Sequence, residues 1–185
     1  MKGRGPRASR AATWSARVTH WGHRAAFIAY EMLVKQLRGQ FPALSPVHLD
    51  SFDIAETQVS SDLVYLLGLQ ADITVRGEVI TRKEPAPRKN VRSRQPVAGS
   101  AWGWPISFHE TAARSAPRAV IFGDSFTDYI LGPTFLYDTM RDPVYTHHNT
   151  VTLNFNLIEE VKPDVVIIVV AERYLRIMPG PAPAN

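Results

Sequence analysis

The stretch Ala119-Val120-Ile121-Phe122-Gly123-Asp124-Ser125-Phe126 decides the fold prediction. Residues 119–122 form a short apolar run that is typical of a buried strand. Gly123 follows this run, and a glycine permits a tight turn and a close backbone approach. Because sites in open α/β sheets form beyond the carboxyl ends of strands, Ser125 falls where a nucleophile would lie. The plainer alternative is that Asp124 or Ser125 only caps a helix.

A second strand is predicted near the C-terminus. Val165 to Val170 is a run of six consecutive β-branched residues, which is typical of a strand buried on both faces. Leu153 to Val161 predicts a helix, and Lys162-Pro163-Asp164 predicts a turn before the strand. Strand, helix and strand joined by short turns favour an α/β fold. We therefore expect a three-layer α/β/α domain with a mainly parallel sheet.

The N-terminal half is less regular. Apolar residues recur at helical spacing from Arg24 to Leu37, and Gly39 and Pro42 end that pattern. Ser60-Ser61-Asp62 predicts a cap for a short helix over 63–67, which Gly68 closes. Residues 73–79 alternate weakly, as a strand would. The basic stretch at about 81–100, rich in proline, predicts a long mobile loop.

Composition indicates one globular domain. The chain has 185 residues, of which 45% are hydrophobic and 21% charged, and it has no cysteine, so disulfides and thiolate metal sites are excluded. We expect a basic arm over 1–17, a domain over 18–178 and a tail over 179–185. No apolar run approaches the roughly 20 residues that span a membrane, and no signal peptide is predicted.

Charge is unevenly distributed. The net charge is +4, but residues 1–24 carry +6 and residues 76–100 carry +5, so the remainder of the chain is acidic. Such basic segments attract anionic polymers, whether nucleic acid or acidic polysaccharide. No aromatic or motif pattern accompanies the charge. We therefore expect solvated basic segments and no nucleic-acid partner.

A serine nucleophile needs a base. Spacing along the chain does not choose among the histidines, which are His20, His23, His48, His109, His147 and His148. Adjacent histidines on a strand face opposite ways, so 147 and 148 make a poor metal pair. Asp128 could replace a missing carboxylate, although an ordinary place on a helix surface is the better prediction. Asn149 could donate to an oxyanion, and capping of the following helix is the better prediction for it.

Three segments of the sequence together match the motifs of a known protein family. The first is Thr19-His20-Trp21-Gly22-His23-Arg24-Ala25-Ala26, the second is Val120 to Phe126, and the third is Lys162 to Leu175, which ends in Glu172-Arg173-Tyr174-Leu175. Asp62-Leu63 with Leu67-Gly68-Leu69 adds a fourth match. Taken in their order along the chain, these segments resemble the SGNH hydrolase-like domain of alginate O-acetyltransferases, the AlgJ/AlgX type. The resemblance covers about residues 18–176.

The resemblance implies a ping-pong acetyl transfer. Ser125 would take an acetyl group from a donor, such as a membrane acetyl-transfer protein, and pass it to a hydroxyl of an acidic exopolysaccharide such as alginate. His20 would be the general base. Candidate oxyanion or substrate contacts are Asp124, Asn149, Arg173 and Tyr174, with a uronate carboxylate as the partner of Arg173. No cofactor or metal is implied, and the location implied is the periplasm or the inner membrane.

The N-terminal match departs from the family pattern. Val18 stands where the family has the aspartate of its triad, and Gly22 and Ala25 replace an asparagine and a glycine. A chain truncated or frame-shifted before Thr19 would explain this, as would a natural pseudoenzyme. The alternatives to a transferase are therefore an SGNH-type carbohydrate acetylesterase and an impaired polysaccharide-binding protein.

Overall fold

The structure, a computed structural model, describes residues 21–59, 61–70, 72–85, 89–95, 105–147 and 153–175. The helices and strands alternate irregularly along the chain, and a ten-residue π-helix at Thr127–Leu136 leads directly into the third α-helix. The helices are α1 His23–Leu37, α2 Asp62–Leu66, α3 Tyr137–Thr139, α4 Phe155–Val161 and α5 Glu172–Leu175, with a 3-10 turn at Leu49–Ser51. The strands are β1 Phe52–Val59, β2 Val75–Arg82, β3 Lys89–Arg94, β4 Ile106–Glu110, β5 Arg118–Gly123, β6 Arg141–His147 and β7 Val165–Val169.

Within the described ranges, these strands form two sheets. β1 and β2 pair antiparallel as a two-stranded sheet, and the other five strands lie in the order β3-β4-β6-β5-β7. The β3/β4 and β4/β6 pairs are antiparallel, whereas β5 runs parallel to both β6 and β7. The predicted three-layer fold with a mainly parallel sheet is therefore wrong, because antiparallel strands make the larger sheet mixed and a separate ribbon accompanies it.

The strand β5 is buried as predicted. Its residues Ala119, Val120, Ile121 and Phe122 are at most 1% exposed. Because successive side chains point to opposite faces, Ala119 and Ile121 join one apolar cluster while Val120 and Phe122 join another. Residues of α1 and the π-helix pack in the first cluster, and residues of α4 pack in the second. The carboxyl end of β5 is thus fixed from both sides.

The strand β7 differs from its prediction. It lies at the edge of the larger sheet, and only Ile167 is buried, while Ile168 is 42% exposed. A run of β-branched residues therefore does not establish burial on both faces here.

Helix α1 covers the first cluster. Tyr30 is fully buried, its hydroxyl lies 2.7 Å from Thr139 Oγ1, and it accepts a 2.6 Å hydrogen bond from the N–H of Val47. Its ring lies 5.4 Å from that of Phe135 in the π-helix. These contacts join α1 to the C-terminal part of the π-helix and to α3.

Local signals at the shorter helix are confirmed. Ser61 Oγ accepts from the N–H of Val64 and caps α2, and Gly68 closes the helix with φ +68°. The N-cap of α4 is Asn154, whose Oδ1 accepts from Leu157, so the cap expected at Asn149 was misplaced. The loop predicted over 81–100 is wrong at β3, which pairs with β4.

Among the described helices, none has both the length and the apolar composition that crossing a bilayer requires.

Candidate active site

Asp124 holds the turn that carries Ser125. Its carboxylate is fully buried: Oδ1 accepts from the N–H of Phe126 at 2.9 Å, and Oδ2 accepts from the N–H of Ala171 at 2.6 Å. Its own N–H donates to the carbonyl of Val169 at 3.1 Å. One bond caps the helix and the others join the turn to the end of β7. The structure therefore brings together two of the segments that carry the resemblance.

Ser125 is the first helical residue after this cap, and it is partly exposed. The N–H groups of Phe126, Thr127 and Asp128 are all engaged by Asp124, the last two at its carbonyl oxygen. These donors, which would otherwise suit an oxyanion at a helix start, are thus used within the turn. An oxyanion beside Ser125 requires donors other than these three.

Gly123 has no room for a side chain. A Cβ there would lie 2.5 Å from the Cβ of Thr127, which is itself fully buried. The close approach of strand and helix at this point is therefore what requires a glycine. This confirms the sequence prediction that Gly123 permits the tight turn.

Replacing Gly123 with alanine is expected to lower the free energy of unfolding by about 1–3 kcal/mol, because the turn must shift to relieve the overlap with Thr127. Chemical denaturation would measure it. Gly22→Ala is the control, since nothing lies within 4 Å of a Cβ at that position and the change should cost under about 1 kcal/mol. Equal effects of the two substitutions would contradict this packing.

A carboxylate–imidazole pair lies at the carboxyl ends of β5 and β6, where the turn of Ser125 also begins. His147 Nδ1 is hydrogen-bonded to Asp128 Oδ2, and the two side chains are 14% and 30% exposed. His147 ends β6 and is the register partner of Gly123 in the parallel β5/β6 pair. Tyr145 also donates from its hydroxyl to the carbonyl of Gly123 at 3.1 Å. The prediction that Asp128 occupies an ordinary helix surface is therefore wrong.

The surroundings of the Asp128 carboxyl shift its pKa in both directions. Burial raises its pKa above the ordinary value, the hydrogen bond and charge of His147 lower it, and the charge of Asp124 raises it again. Burial is the largest of these influences. The carboxylate is thus held in a partly desolvated place, where its interaction with an imidazolium is stronger than in water.

Other histidines serve the fold. His23 Nδ1 accepts from the N–H of Ile80 at 3.0 Å, and burial lowers its pKa. The ring of His109 packs against Tyr137, with centroids 4.6 Å apart. His48 is exposed beside the 3-10 turn. Of the described histidines, His147 is thus the one at the edge where Ser125 lies.

The residues around the predicted base are partly described. His20, Val18 and Asn149 lie outside the described residues, as does His148. Trp21, which follows His20 in the chain, donates from Nε1 to the carbonyl of Phe126 at 3.0 Å. Its ring meets that of Phe126 edge-on at 5.3 Å. The segment that follows His20 is therefore bound to the residue that follows Ser125.

The predicted Glu-Arg-Tyr-Leu ending forms α5, directly after β7. The N–H of Tyr174 donates to the carbonyl of Ala171 at 2.9 Å, and Ala171 is the residue bonded to Asp124. The backbone of Arg173 and Tyr174 is thus near the turn of Ser125. The contacts of Arg173 with substrate stay a prediction.

Within the described ranges, no three His, Asp or Glu side chains are grouped as metal ligands would be. A cavity of about 600 Å³ opens elsewhere, between the end of β2 and the π-helix. None of the predicted site residues that the structure describes lines it; its walls include His23, Arg82, Lys83 and Pro133.

Several solved structures share this fold. A DHHW family protein from Eubacterium siraeum DSM 15702 matches with a TM-score of 0.62 at 11% identity, covering 85% of this chain and 58% of that one. Bacillus cereus PatB1 matches with a TM-score of 0.59 at 13% identity, covering 88% and 63%. PatB1 with a sulfonyl adduct gives 0.57 at 14% identity, covering 84% and 58%.

No protein-family model matches the chain, and no curated protein matches it. The chain spans about six-tenths of the length of the structures it resembles. At these identities the likeness concerns the fold, and the alginate-specific family stays a prediction. The chain therefore shares the fold of the DHHW family protein and of PatB1.

Proposed function

We propose that this chain is the catalytic domain of a polysaccharide O-acetyltransferase in which Ser125 carries the acetyl group. The observation that carries the proposal is the position of Ser125. It begins a helix at the carboxyl end of a buried parallel strand, on a turn fixed by Asp124, with an imidazole–carboxylate pair at the same edge. Serine nucleophiles need such a held turn and a neighbouring base.

The comparisons support the same chemistry. PatB1, whose fold the chain shares, has been seen with a sulfonyl adduct. Sulfonyl groups form adducts with nucleophilic side chains, so the adduct is consistent with a nucleophile in PatB1. The identity of 14% leaves the residue and the substrate in this chain as proposals.

The reaction proceeds in two half-reactions. Ser125 Oγ attacks the carbonyl of an acetyl donor while a histidine takes its proton, and the leaving group departs with that proton. A sugar hydroxyl then attacks the seryl ester and restores Ser125. His20 is the histidine that the resemblance names, and Trp21, which follows it in the chain, is bonded to the carbonyl of Phe126.

The acceptor is proposed to be an acidic exopolysaccharide such as alginate, acetylated outside the cytoplasm. The support is the sequence resemblance and the basic charge of residues 76–100, which favours an anionic polymer. Within that segment, Arg82 is already paired with Asp138 and Arg94 with Glu160. The remaining charge is what would attract the polymer.

The competing function is an acetylesterase, which uses the same serine and transfers the acetyl group to water. The test is acetyl release from an aryl acetate by the full chain, with and without oligosaccharides of uronate or neutral sugars. A transferase is expected to release faster with the uronate acceptor and to yield an acetylated sugar. Release that is independent of every acceptor would contradict transfer and favour the esterase.

A further inference from the structure

A carboxylate–imidazole pair lies beside Ser125, and its carboxylate comes from the next turn of the same helix. Asp128 follows Ser125 by three residues, so both lie on the same side of the helix start. His147 arrives from the neighbouring strand, beside Gly123, and its Nδ1 is bonded to Asp128 Oδ2. Helix and strand thus deliver the two partners to the edge where Ser125 lies.

We propose that His147 is the general base of Ser125 in this chain and that Asp128 is its positioning residue, in place of the pair expected at His20 and Val18. The inference rests on the proposed function and names its base. It gives the chain a complete serine, histidine and carboxylate set, although valine stands at the position of the usual aspartate.

The bonding pattern is that of a working base. In serine enzymes the carboxylate binds the Nδ1–H of the histidine, which fixes the tautomer so that Nε2 takes the serine proton. Asp128 occupies the Nδ1 side of His147, so Nε2 is the proton-accepting nitrogen. The pair is largely shielded from solvent, which strengthens the stabilisation of an imidazolium.

Position 18 offers His20 no carboxylate, because it is a valine. A valine side chain accepts no hydrogen bond, so it neither fixes the tautomer of His20 nor stabilises its charged form. Loss of that carboxylate alone lowers kcat by about 10⁴ in serine proteases. A chain that retained the nucleophile turn would therefore need another carboxylate, and Asp128 is one that is already bonded to an imidazole.

The proton moves between four atoms: Ser125 Oγ, His147 Nε2, the leaving atom of the donor and the acceptor oxygen. Ser125 Oγ bonds to the acetyl carbon as its proton passes to His147 Nε2, and the carbonyl electron pair moves to oxygen. When that pair returns, the bond to the leaving group of an acetyl ester or thioester donor breaks, and the leaving atom takes the proton from Nε2. In the second half, the acceptor hydroxyl gives its proton to Nε2 and bonds to carbon. Ser125 Oγ leaves and regains the proton.

The test compares variants of the full chain in aryl acetate turnover. His147→Ala is expected to lower kcat/KM at least about 10³-fold, and Asp128→Asn about 10²- to 10⁴-fold, with partial recovery in Asp128→Glu. Added imidazole should restore turnover in His147→Ala, measured above a Ser125→Ala/His147→Ala background. His20→Ala should cost less than His147→Ala. Thermal unfolding and His147→Gln check that the fold persists.

A second measurement separates the inference from the proposed function. Phenylmethanesulfonyl fluoride should label Ser125, and His147→Gln should slow that labelling at least tenfold. Labelling at the parent rate in His147→Gln, no rescue by imidazole, or a loss confined to His20→Ala overturns the inference alone. If the parent chain shows no turnover and Ser125 is not labelled, the proposed function and the inference are both overturned.

Discussion

Replacing Ser125 with alanine is expected to lower acetyl transfer by about 10⁵-fold, because the proposed function makes Ser125 the residue that carries the acetyl group. In subtilisin, loss of the serine costs about as much as loss of the whole triad. The residual rate would come from the remaining binding groups. Initial rates of acetyl release with a uronate oligosaccharide acceptor would measure the effect.

The control for this change is Ser115→Ala, since Ser115 is an exposed serine outside the site, and its activity should match the parent chain. Stability must also be compared, because Ser125 begins a helix. We expect Ser125→Ala to change the free energy of unfolding by under about 1 kcal/mol. Activity within threefold of the parent in Ser125→Ala would exclude Ser125 as the nucleophile.

Replacing Asp124 with alanine is expected to cost about 2–6 kcal/mol of folding free energy. The change removes the acceptors of the buried Phe126 N–H and of the partly buried Ala171 N–H, and an orphaned buried group costs about 1–3 kcal/mol. Asp124→Asn keeps one acceptor oxygen, so its free energy of unfolding should lie between those of the parent chain and Asp124→Ala. Since domains are stable by only about 5–15 kcal/mol, urea denaturation would resolve these differences.

Asp164 offers a matched control. It also accepts from a backbone N–H, that of Arg118 at 2.8 Å, and pairs with Arg141 at 2.9 Å, but its side chain is 45% exposed. Water can replace those bonds, so Asp164→Ala should cost under about 1 kcal/mol. A loss in Asp124→Ala as small as in Asp164→Ala would show that the buried carboxylate does not hold the turn.

Some of the fold is predictable because its signals are local. The apolar run of β5, the helical spacing of α1 and the Ser61 cap of α2 each specify structure within a few residues, and all three are confirmed. The glycine at 123 is of the same kind, since its tight contact is with Thr127. Such features need no knowledge of distant partners.

The sheet order could not be predicted, because it depends on pairing between distant segments. β6 contains Pro143 next to Asp142, whose φ is +43°. Because proline is rare inside strands and common after helices, this sequence indicates the end of a helix more than a strand. β3 is basic, and its Arg92 stacks over Phe108 of β4, which sequence alone does not reveal. Once these strands pair antiparallel, the sheet is mixed and the predicted class fails.

The candidate site shows the same division. Ser125 and the capping role of Asp124 follow from neighbours in sequence, and the alternative that Asp124 caps the helix is correct. The bond between Asp128 and His147 was missed because it depends on β6 lying beside β5. A usable signal existed in the aspartate one turn after the nucleophile, which is well placed for a base arriving from the adjacent strand.

The most direct measurement is peptide mass spectrometry on the full chain, quenched in acid during turnover of an acetyl ester. The account predicts an acetyl group on the peptide that contains Ser125, which disappears when a uronate oligosaccharide acceptor is added before the quench. Continued turnover with the acetyl group on another residue, or with none on Ser125 in the absence of acceptor, would contradict the claim that Ser125 carries the acetyl group.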